Sequence, residues 1–372
     1  MPEWGEYFEF LPVAAPVAPD EKAVRAIPRQ KRRGMGDAAL YAALAADGAR
    51  RAARLEDFDL GNGRCGCAVS STMGSSRSIV EAVEMFLDGR REEMPAMQFF
   101  RCASHSAALN VGNLFGLTGT VLAPCSACAS GMQALGAAYE QIVLGRQEVM
   151  FAGGCDEVTP AVVGSFAQLF ALADSDEFAP EAVSRPFDAR RRGLVCGAGA
   201  GILVLEEYEH AKRRGAEPIA EILGYSTNAG GVHVGQSDAA SISRCMAETL
   251  RDAGISPDEV DYVSAHATAT AAGDREEAAA LRELFGSRTP VAGLKGHLGH
   301  TLGASGALEL AALCEMFRHD VMLPTRNLEA VAPECAGLDH VTELREKKVR
   351  VMLKNSVAFG GVNAALAIGN LL

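Results

Sequence analysis

One cysteine and two histidines, each placed where a short apolar run gives way to small residues, are the side chains of this 372-residue chain best suited to carbon chemistry. The cysteine is Cys128, in Ala123-Pro-Cys-Ser-Ala-Cys-Ala-Ser-Gly-Met-Gln-Ala-Leu-Gly136. Residues 120–123 read as the end of a strand, and a helical pattern then runs to Gly145. Cys128 falls where that helix begins, among unpaired backbone N–H groups and at the positive end of the helix dipole. Both favour the thiolate, the nucleophilic form. Ala129, Ser130 and Gly131 are small enough to let a substrate reach the sulfur. Two other readings stand beside this one. Free cysteine is often buried and inert. Cys125-x-x-Cys128 could also be a redox or zinc pair, although no second pair completes a metal site.

The histidines are His266 and His300. A strand over residues 260–265 delivers His266, in His266-Ala-Thr-Ala-Thr270. Period two puts His266, Thr268 and Thr270 on one side of an extended segment, where the hydroxyls could bind the amides of a thin substrate arm. His300 closes the turn Lys295-Gly-His-Leu-Gly-His300, between a strand over 291–294 and a helix over 301–317 rich in small residues. A thiolate can take an acyl group as a thioester. Two neutral imidazoles, donating through N–H, can polarise a second thioester carbonyl and steady the enolate left when it loses CO2. Taken singly, each histidine is more often a hydrogen-bonded structural residue, and His297, His319 and His340 are read so. Lys295 needs a partner if buried. Glu309, the one acid in the run 302–313, can supply it as a buried ion pair; the alternative is two unrelated surface charges.

The elements that must hold these groups are those of a large α/β core. Short apolar runs alternate with amphipathic helices (37–55, 79–87, 105–115, 128–145, 239–253), which predicts mostly parallel sheets covered by helices, with residues 95–100 as a loop. Asp37 is expected to cap the first helix, with Leu40, Ala43, Leu44 and Ala52 along one side. Residues 148–152 read as a strand closed by Gly153-Gly154. Gly197-Ala-Gly-Ala-Gly201 precedes a strand rather than a helix, so close backbone packing is favoured over a phosphate loop. The Cys128 and His300 segments look like two versions of one element, which suggests an internal duplication of about half the chain. Residues 7–13 read as an edge strand, and Arg29-Gln-Lys-Arg-Arg33 as a solvated loop or an anion or carrier-protein contact. Nearly half the residues are apolar (48%) but only 6% aromatic, and the net charge is −12, which argues against a nucleic-acid binder. Ten scattered cysteines fit a reducing cytosol. The N-terminus lacks the features of a signal peptide, and no apolar run approaches the ~18 residues of a membrane span.

Seven segments, in order, resemble one family. They are Ser126-Ala-Cys-Ala-Ser-Gly131; Arg185-Pro-Phe-Asp188; Gly199-Ala-Gly-Ile-Leu-Val-Leu-Glu206; His266-x-Thr-x-Thr270 with Gly273-Asp274-x-x-Glu277; Lys295 through Gly306; Leu323-Pro-Thr-x-Asn327; and Asn355-Ser-x-x-Phe-Gly-Gly-x-Asn363. From residue 37 onward the chain resembles an elongating β-ketoacyl–acyl-carrier-protein synthase of the thiolase-like superfamily. The resemblance implies a five-layer αβαβα fold from two duplicated halves (1–206 with the cysteine, 207–372 with the histidines) and a cytoplasmic dimer, homodimeric or paired with a related subunit. It implies Cys128 as the acylated nucleophile, His266 and His300 in decarboxylation and condensation, Lys295 as the active-site lysine and Glu309 as its partner. It makes Phe359 the gate, whose N–H joins that of Cys128 in an oxyanion hole, and gives Thr268 and Thr270 to the phosphopantetheine arm. No metal or bound cofactor is implied; the substrates are phosphopantetheine thioesters on acyl-carrier protein. Departures include the missing Thr-Gly-Met-Gly opening, Ala267 and Val362 for Gly and Thr, Val357-Ala358 before the gate, Ala198 for Glu, and His297. They suggest a divergent branch serving a specialised polyketide or polyene pathway. A coenzyme A-dependent thiolase, which would want a second cysteine, and a non-catalytic partner subunit remain open alternatives.

Overall fold

The computed structural model describes residues 4, 7–8, 12–174, 177–232 and 235–372. In the N-terminal part the apolar runs form β1 (Cys65–Ser70), β2 (Val121–Leu122), β3 (Val149–Asp156) and β4 (Gly199–Glu206). Their order is β2-β1-β3-β4. β1 runs parallel to β2 and β3, and β4 antiparallel to β3. β1 and β3 are buried along their whole length, which is why their sequences are continuously apolar or small instead of alternating. The second sheet holds β5 (Ala220–Ala229), β6 (Tyr262–Ala265), β7 (Pro290–Gly293), β8 (Asp339–His340), β9 (Val351–Val357) and β10 (Val362–Asn370), in the order β8-β7-β6-β9-β10-β5. The first four are mutually parallel; β10 is antiparallel to both β9 and β5.

Helices α1 (Asp37–Ala52) and α2 (Ser106–Phe115) pack on the outer face of the first sheet. α4 (Ala239–Ala253) and α5 (Ala271–Phe285) cover the outer side of the second. Between the sheets lie α3 (Ser130–Val143) and α7 (Ser305–His319), each touching strands of both sheets and each other. The layers are therefore αβαβα. The middle layer is the densest part of the core, where Met132 and Leu135 from α3 and Leu310 and Leu313 from α7 share a buried cluster with Leu366 of β10. Fully burying each such side chain contributes about 1.5–3 kcal/mol.

Several local expectations are corrected. α1 ends at Ala52 and is preceded by Gly36, so Asp37 is its first residue and not its cap. Its buried residues are Ala38, Ala39, Ala42, Ala43 and Ala46, with Leu40 and Leu44 only half-buried at the flank. Alanines take that face because they let the helix approach the sheet closely. β3 continues through both glycines to Asp156: Gly153 has φ +151°, and a Cβ there would lie 2.0 Å from the Gly201 carbonyl of β4. Gly201 in turn lies against the α7 backbone, its Cβ position 2.4 Å from Leu308 N, which bears out the close-packing reading of the glycine run. Residues Gln98–Cys102 are helical where a loop was expected, and Arg29–Arg32 form a helical turn rather than a loop. Of the edge strand predicted over 7–13, residues 9–11 lie outside the described part; the strand present is Ala14–Ala15, parallel to Cys196–Gly197.

Candidate active site

Cys128 sits between strand and helix on a tight turn. Ala127 adopts φ +47°, a strained conformation for a residue with a Cβ. The turn is held by neutral hydrogen bonds: Ala129 N donates to Ser126 O at 3.1 Å, Ser126 N to Ser130 Oγ at 2.9 Å, and Ser130 Oγ to Ala127 O at 2.6 Å. α3 begins at Ser130 with Ala129 at its N-cap, so Cys128 lies two residues before the helix. Its side chain is only 3% exposed.

His300 and His266 meet it there. His300 Nε2 lies 2.9 Å from Cys128 Sγ, and the His266 and His300 ring centroids are 5.2 Å apart, edge to face. His300 is anchored at both backbone ends in the first half of the chain: its N–H donates to Val195 O at 2.7 Å and its carbonyl accepts from Gly197 N at 2.8 Å. Its Nδ1 is 3.0 Å from Ser305 Oγ, at the start of α7. His266 follows β6, and its backbone is gripped from two sides. Glu277 of α5 accepts His266 N and Ala267 N, both at 2.6 Å, and Lys295 Nζ donates to His266 O at 2.5 Å.

The threonine segment departs from the extended form that the sequence predicts. Ala267 and Ala269 take φ +30° and +67°, because the Glu277 and Asp274 carboxylates draw the N–H groups of residues 266, 267 and 269 to one side. Thr268 and Thr270 nonetheless come together, Oγ1 to Oγ1 3.0 Å, and both are partly exposed while the alanines are buried.

Lys295 opens α6 (Lys295–Leu298) and is 1% exposed; its Nζ lies 2.7 Å from Glu309 Oε1. The buried ion pair read from the sequence is thus present. It is also larger than expected. Lys354, in the middle of β9 and wholly buried, places Nζ 2.7 Å from Glu309 Oε2. This contact is ionic, without the alignment of a good hydrogen bond; Lys354 instead donates to Asn355 O at 2.6 Å. Burial pushes the Glu309 carboxyl up, but the two ammoniums outweigh it and hold it below its ordinary value. For Lys354 burial wins, and its pKa lies below the ordinary value despite Glu309.

The sequence reading put the helix end in charge of the Cys128 thiol, and here it is corrected. Burial dominates and pushes the thiol up to about 12; Lys295 opposes it, Asp156 reinforces it, and the N–H groups of Cys128 itself and of Phe359 oppose it weakly. The resting group is a thiol beside a neutral base. Burial, followed by Lys295 and Lys354, also holds both histidines well below their ordinary values, with His300 adding to the effect on His266. The two N–H groups that reach the sulfur are the pair expected for an oxyanion hole. Phe359 is 37% exposed, with its ring 6.1 Å from that of Phe166. Cys128, His266 and His300 offer ligand atoms within 4.8 Å of one another, but the Lys295 and Lys354 ammoniums that act on both histidines oppose a metal cation.

Other sequence candidates fall elsewhere. Cys125 and Cys128 are both free thiols, and Cys125 Sγ lies 3.3 Å from Ser71 O. His297 Nε2 meets Pro324 O at 2.8 Å and His340 Nε2 meets Cys335 O at 2.9 Å, as structural residues do; His319 is on the surface. Sequence reasoning missed Lys354, Ser305 and the role of Glu277. The signal for Lys354 was available: a single lysine in the apolar run Val351-Met-Leu-Lys.

With this geometry in view, likeness to known proteins is decisive. The β-ketoacyl synthase N-terminal domain matches residues 15–211 and the C-terminal domain residues 219–329. The chain belongs to the β-ketoacyl synthase family. It is 34% identical over 349 residues to 3-oxoacyl-[acyl-carrier-protein] synthase 1 of Escherichia coli, covering 93% of this chain and 85% of that one. Its fold superposes on a β-ketoacyl synthase from Burkholderia phymatum with TM-score 0.94 and 40% identity, over 100% of this chain and 91% of the other. A type II polyketide ketosynthase solved with its acyl-carrier protein gives TM-score 0.85 and 30% identity, over 94% and 87%. Among the described residues no helix is long and apolar enough to cross a membrane.

Proposed function

We propose that this ketosynthase condenses an acyl group held on Cys128 with malonyl–acyl-carrier protein, releasing CO2 and 3-oxoacyl–acyl-carrier protein, in fatty-acid or polyketide biosynthesis. The observation that carries the reading is the 2.9 Å contact between Cys128 Sγ and His300 Nε2 beside the His266 ring, with two N–H groups directed at the sulfur.

In the first half-reaction the thiol of Cys128 attacks the incoming thioester carbonyl. The S–H proton passes through His300 Nε2 to the departing pantetheine sulfur, and the N–H groups of Cys128 and Phe359 stabilise the oxyanion. In the second, the bond between the malonyl methylene and its carboxylate breaks, CO2 leaves, and the electron pair becomes an enolate. His266 and His300, neutral, donate N–H to the enolate oxygen. The enolate carbon attacks the Cys128 thioester carbonyl, the C–S bond breaks, and the cysteine sulfur leaves as the thiolate and takes up from solvent the one proton that the decarboxylating condensation consumes. Thr268 and Thr270 hold the phosphopantetheine arm, which arrives with the substrate. Lys295 and Glu309 fix the His266 carbonyl and so the ring above it. Phe359, against Phe166, gates the acyl pocket.

The carrier's dock is proposed at the cleft lined by Arg29, Arg32, Arg33, Arg77 and Arg101, whose five guanidiniums outnumber Asp37 and Glu81. It shares no residue with the catalytic set, as suits a partner whose arm, not its body, enters the site. A homodimer is the proposed working form. The thiolase alternative loses ground because Cys335 is buried in a different part of the core from Cys128 and Cys314 lies along α7.

The test is intact mass spectrometry of the protein mixed with acyl-carrier proteins of several chain lengths, followed by malonyl-carrier protein. The expected result is an acyl adduct on Cys128 that is consumed on adding malonyl carrier, with product formation lost in His300→Ala. No adduct from any donor would overturn the reading in favour of a non-catalytic partner subunit.

A further inference from the structure

Lys354 is a buried charge beside the site for which the condensation leaves no task. It is 0% exposed and surrounded by acceptors: Glu309 Oε2 at 2.7 Å and the carbonyls of Asn355, Ala265 and Ser264 at 2.6, 3.3 and 3.4 Å. An ammonium has three donors and no acceptor, so this shell fits the charged form; a neutral amine would turn a lone pair on a wall of oxygens. Lys295 alone would neutralise Glu309. With Lys354 the cluster gains a second ammonium, and Glu277, 2% exposed, is the second buried carboxylate that acts on it. Burying a second pair of opposite charges is costly even when they balance, which calls for a use.

Its position supplies one. β9 and β6 are parallel with Lys354 opposite Ser264, so the ammonium lies alongside the end of the strand that delivers His266. The next residue, Asn355, donates from Nδ2 to Glu277 Oε1 at 2.8 Å, and the same oxygen accepts the N–H of His266. β9 thus reaches His266 twice, once through the Lys354 ammonium and once through the Asn355 amide on the Glu277 carboxylate. We propose that Lys354 is a positioning residue of the condensation step: held between Glu309 and the end of β6, its charge keeps His266 and His300 as neutral imidazoles and favours the negative charge that develops on the reacting thioesters. The proposal rests on the condensing-enzyme reading above. The groups that bear on the two rings are Lys295, Lys354, Glu309, the Cys128 thiol and the rings themselves, with Asp156 acting on Cys128 and Glu277 on the His266 backbone. Both lysines oppose a proton on either ring, in the same sense as burial.

The variant to make is Lys354→Met, of similar length and without charge. It leaves Lys295 paired with Glu309, and leaves Glu277 its N–H donors from His266, Ala267 and Asn355. Condensation requires neutral imidazoles and fails as they protonate, so the acid limb of its pH profile should move about one unit to higher pH when the positive charge is removed. A lysine that only packs would change the rate equally at every pH; an unmoved acid limb, at any rate, overturns the proposal. A second measurement needs no variant to fold. Imidazole nitrogen NMR of the wild-type enzyme should find His266 and His300 still neutral where an ordinary histidine is half protonated, at about pH 6.5, whereas titration of both near that value overturns the proposal. The acyl adduct on wild-type Cys128 is scored beside these experiments. Its absence sinks the condensing-enzyme reading, while an adduct with an unmoved limb sinks only the role of Lys354.

Discussion

The turns that present Cys128 and His300 are built alike and equipped differently. Each joins a strand to a buried helix of the middle layer, and each contains a non-glycine residue with positive φ, Ala127 at +47° and Leu302 at +50°. The two pack directly on one another: a Cβ on Gly131 would lie 2.3 Å from the Gly303 carbonyl. At Cys128 the chain enters α3 within two residues and every partner is neutral. At His300 a 3-10 turn, Leu302–Ala304, intervenes before α7, and the segment brings Lys295 on one side and Glu309 on the other. The scaffold therefore fixes where a group is presented, and the neighbours fix its charge state. Even the nearby buried carboxylates divide this way. Asp156 is bound by donors without formal charge (Ser71 Oγ at 2.7 Å, Thr72 N at 3.0 Å, Gly303 N at 2.7 Å) and burial raises its pKa, while Glu309 is held low between two ammoniums.

The harshest way to break the pair is to remove the nucleophile. Cys128→Ala should abolish the acyl adduct and lower condensation by at least ~10³-fold, read by intact mass and product assay. Removing charge tests the other turn. Glu309→Gln leaves two buried ammoniums without their carboxylate and should cost about 3–5 kcal/mol of stability. Asp156→Asn keeps its pocket free of lone charge and should cost about 1–3 kcal/mol. Urea midpoints with unchanged slopes measure both; an Asp156 variant as unstable as the Glu309 variant would erase the contrast. A third experiment asks what state Cys128 rests in. With the thiol held at about 12, the thiolate fraction rises with pH throughout the neutral range. Alkylation by iodoacetamide should then rise about tenfold per pH unit from 7 to 9, measured in a Cys125→Ala background to remove the exposed thiol. A plateau below pH 8 would return control of the cysteine to the helix terminus.

The positions of the chemistry were legible in the sequence; its electrostatics were legible only in part. Cys128, His266 and His300 could be found because each follows a short apolar strand, among small residues, a pattern that local sequence carries. The Lys295–Glu309 pair followed from asking what a buried lysine needs. Lys354 failed the same question only because it was counted as part of a strand. The thiol state was misjudged for a different reason: the helix terminus is local, whereas desolvation comes from β3, α7 and the Phe359 turn closing over the sulfur from distant parts of the chain. The backbone at Ala267 and Ala269 was hidden likewise, since Glu277 and Asp274, which bend it, lie on the following helix and act through N–H groups with no side-chain signature. Alternation of residue types suggested an extended segment, and two buried carboxylates overrode it.

The mildest test concerns Ser305, the hydroxyl that reaches His300 Nδ1 at 3.0 Å and Thr301 Oγ1 at 3.1 Å. Acyl transfer asks His300 Nε2 to accept a proton, which requires N–H at Nδ1. Enolate stabilisation asks Nε2 to donate, which requires a bare Nδ1. A serine hydroxyl accepts from the first tautomer and donates to the second, so one residue serves both half-reactions. Ser305→Ala leaves Nδ1 without that partner in a buried site, at a cost of about 1 kcal/mol, or roughly fivefold in each step. Single-turnover rates of adduct formation and of adduct consumption separate the two. The matched change in the other turn, Ser130→Ala, removes hydrogen bonds to Ala127 and Ser126 and leaves the His300 ring its partner, so it should slow adduct formation more than adduct consumption. If Ser305→Ala slows adduct consumption alone, only the Nε2–H tautomer is in use, and the proton passed during acylation travels by a route other than His300.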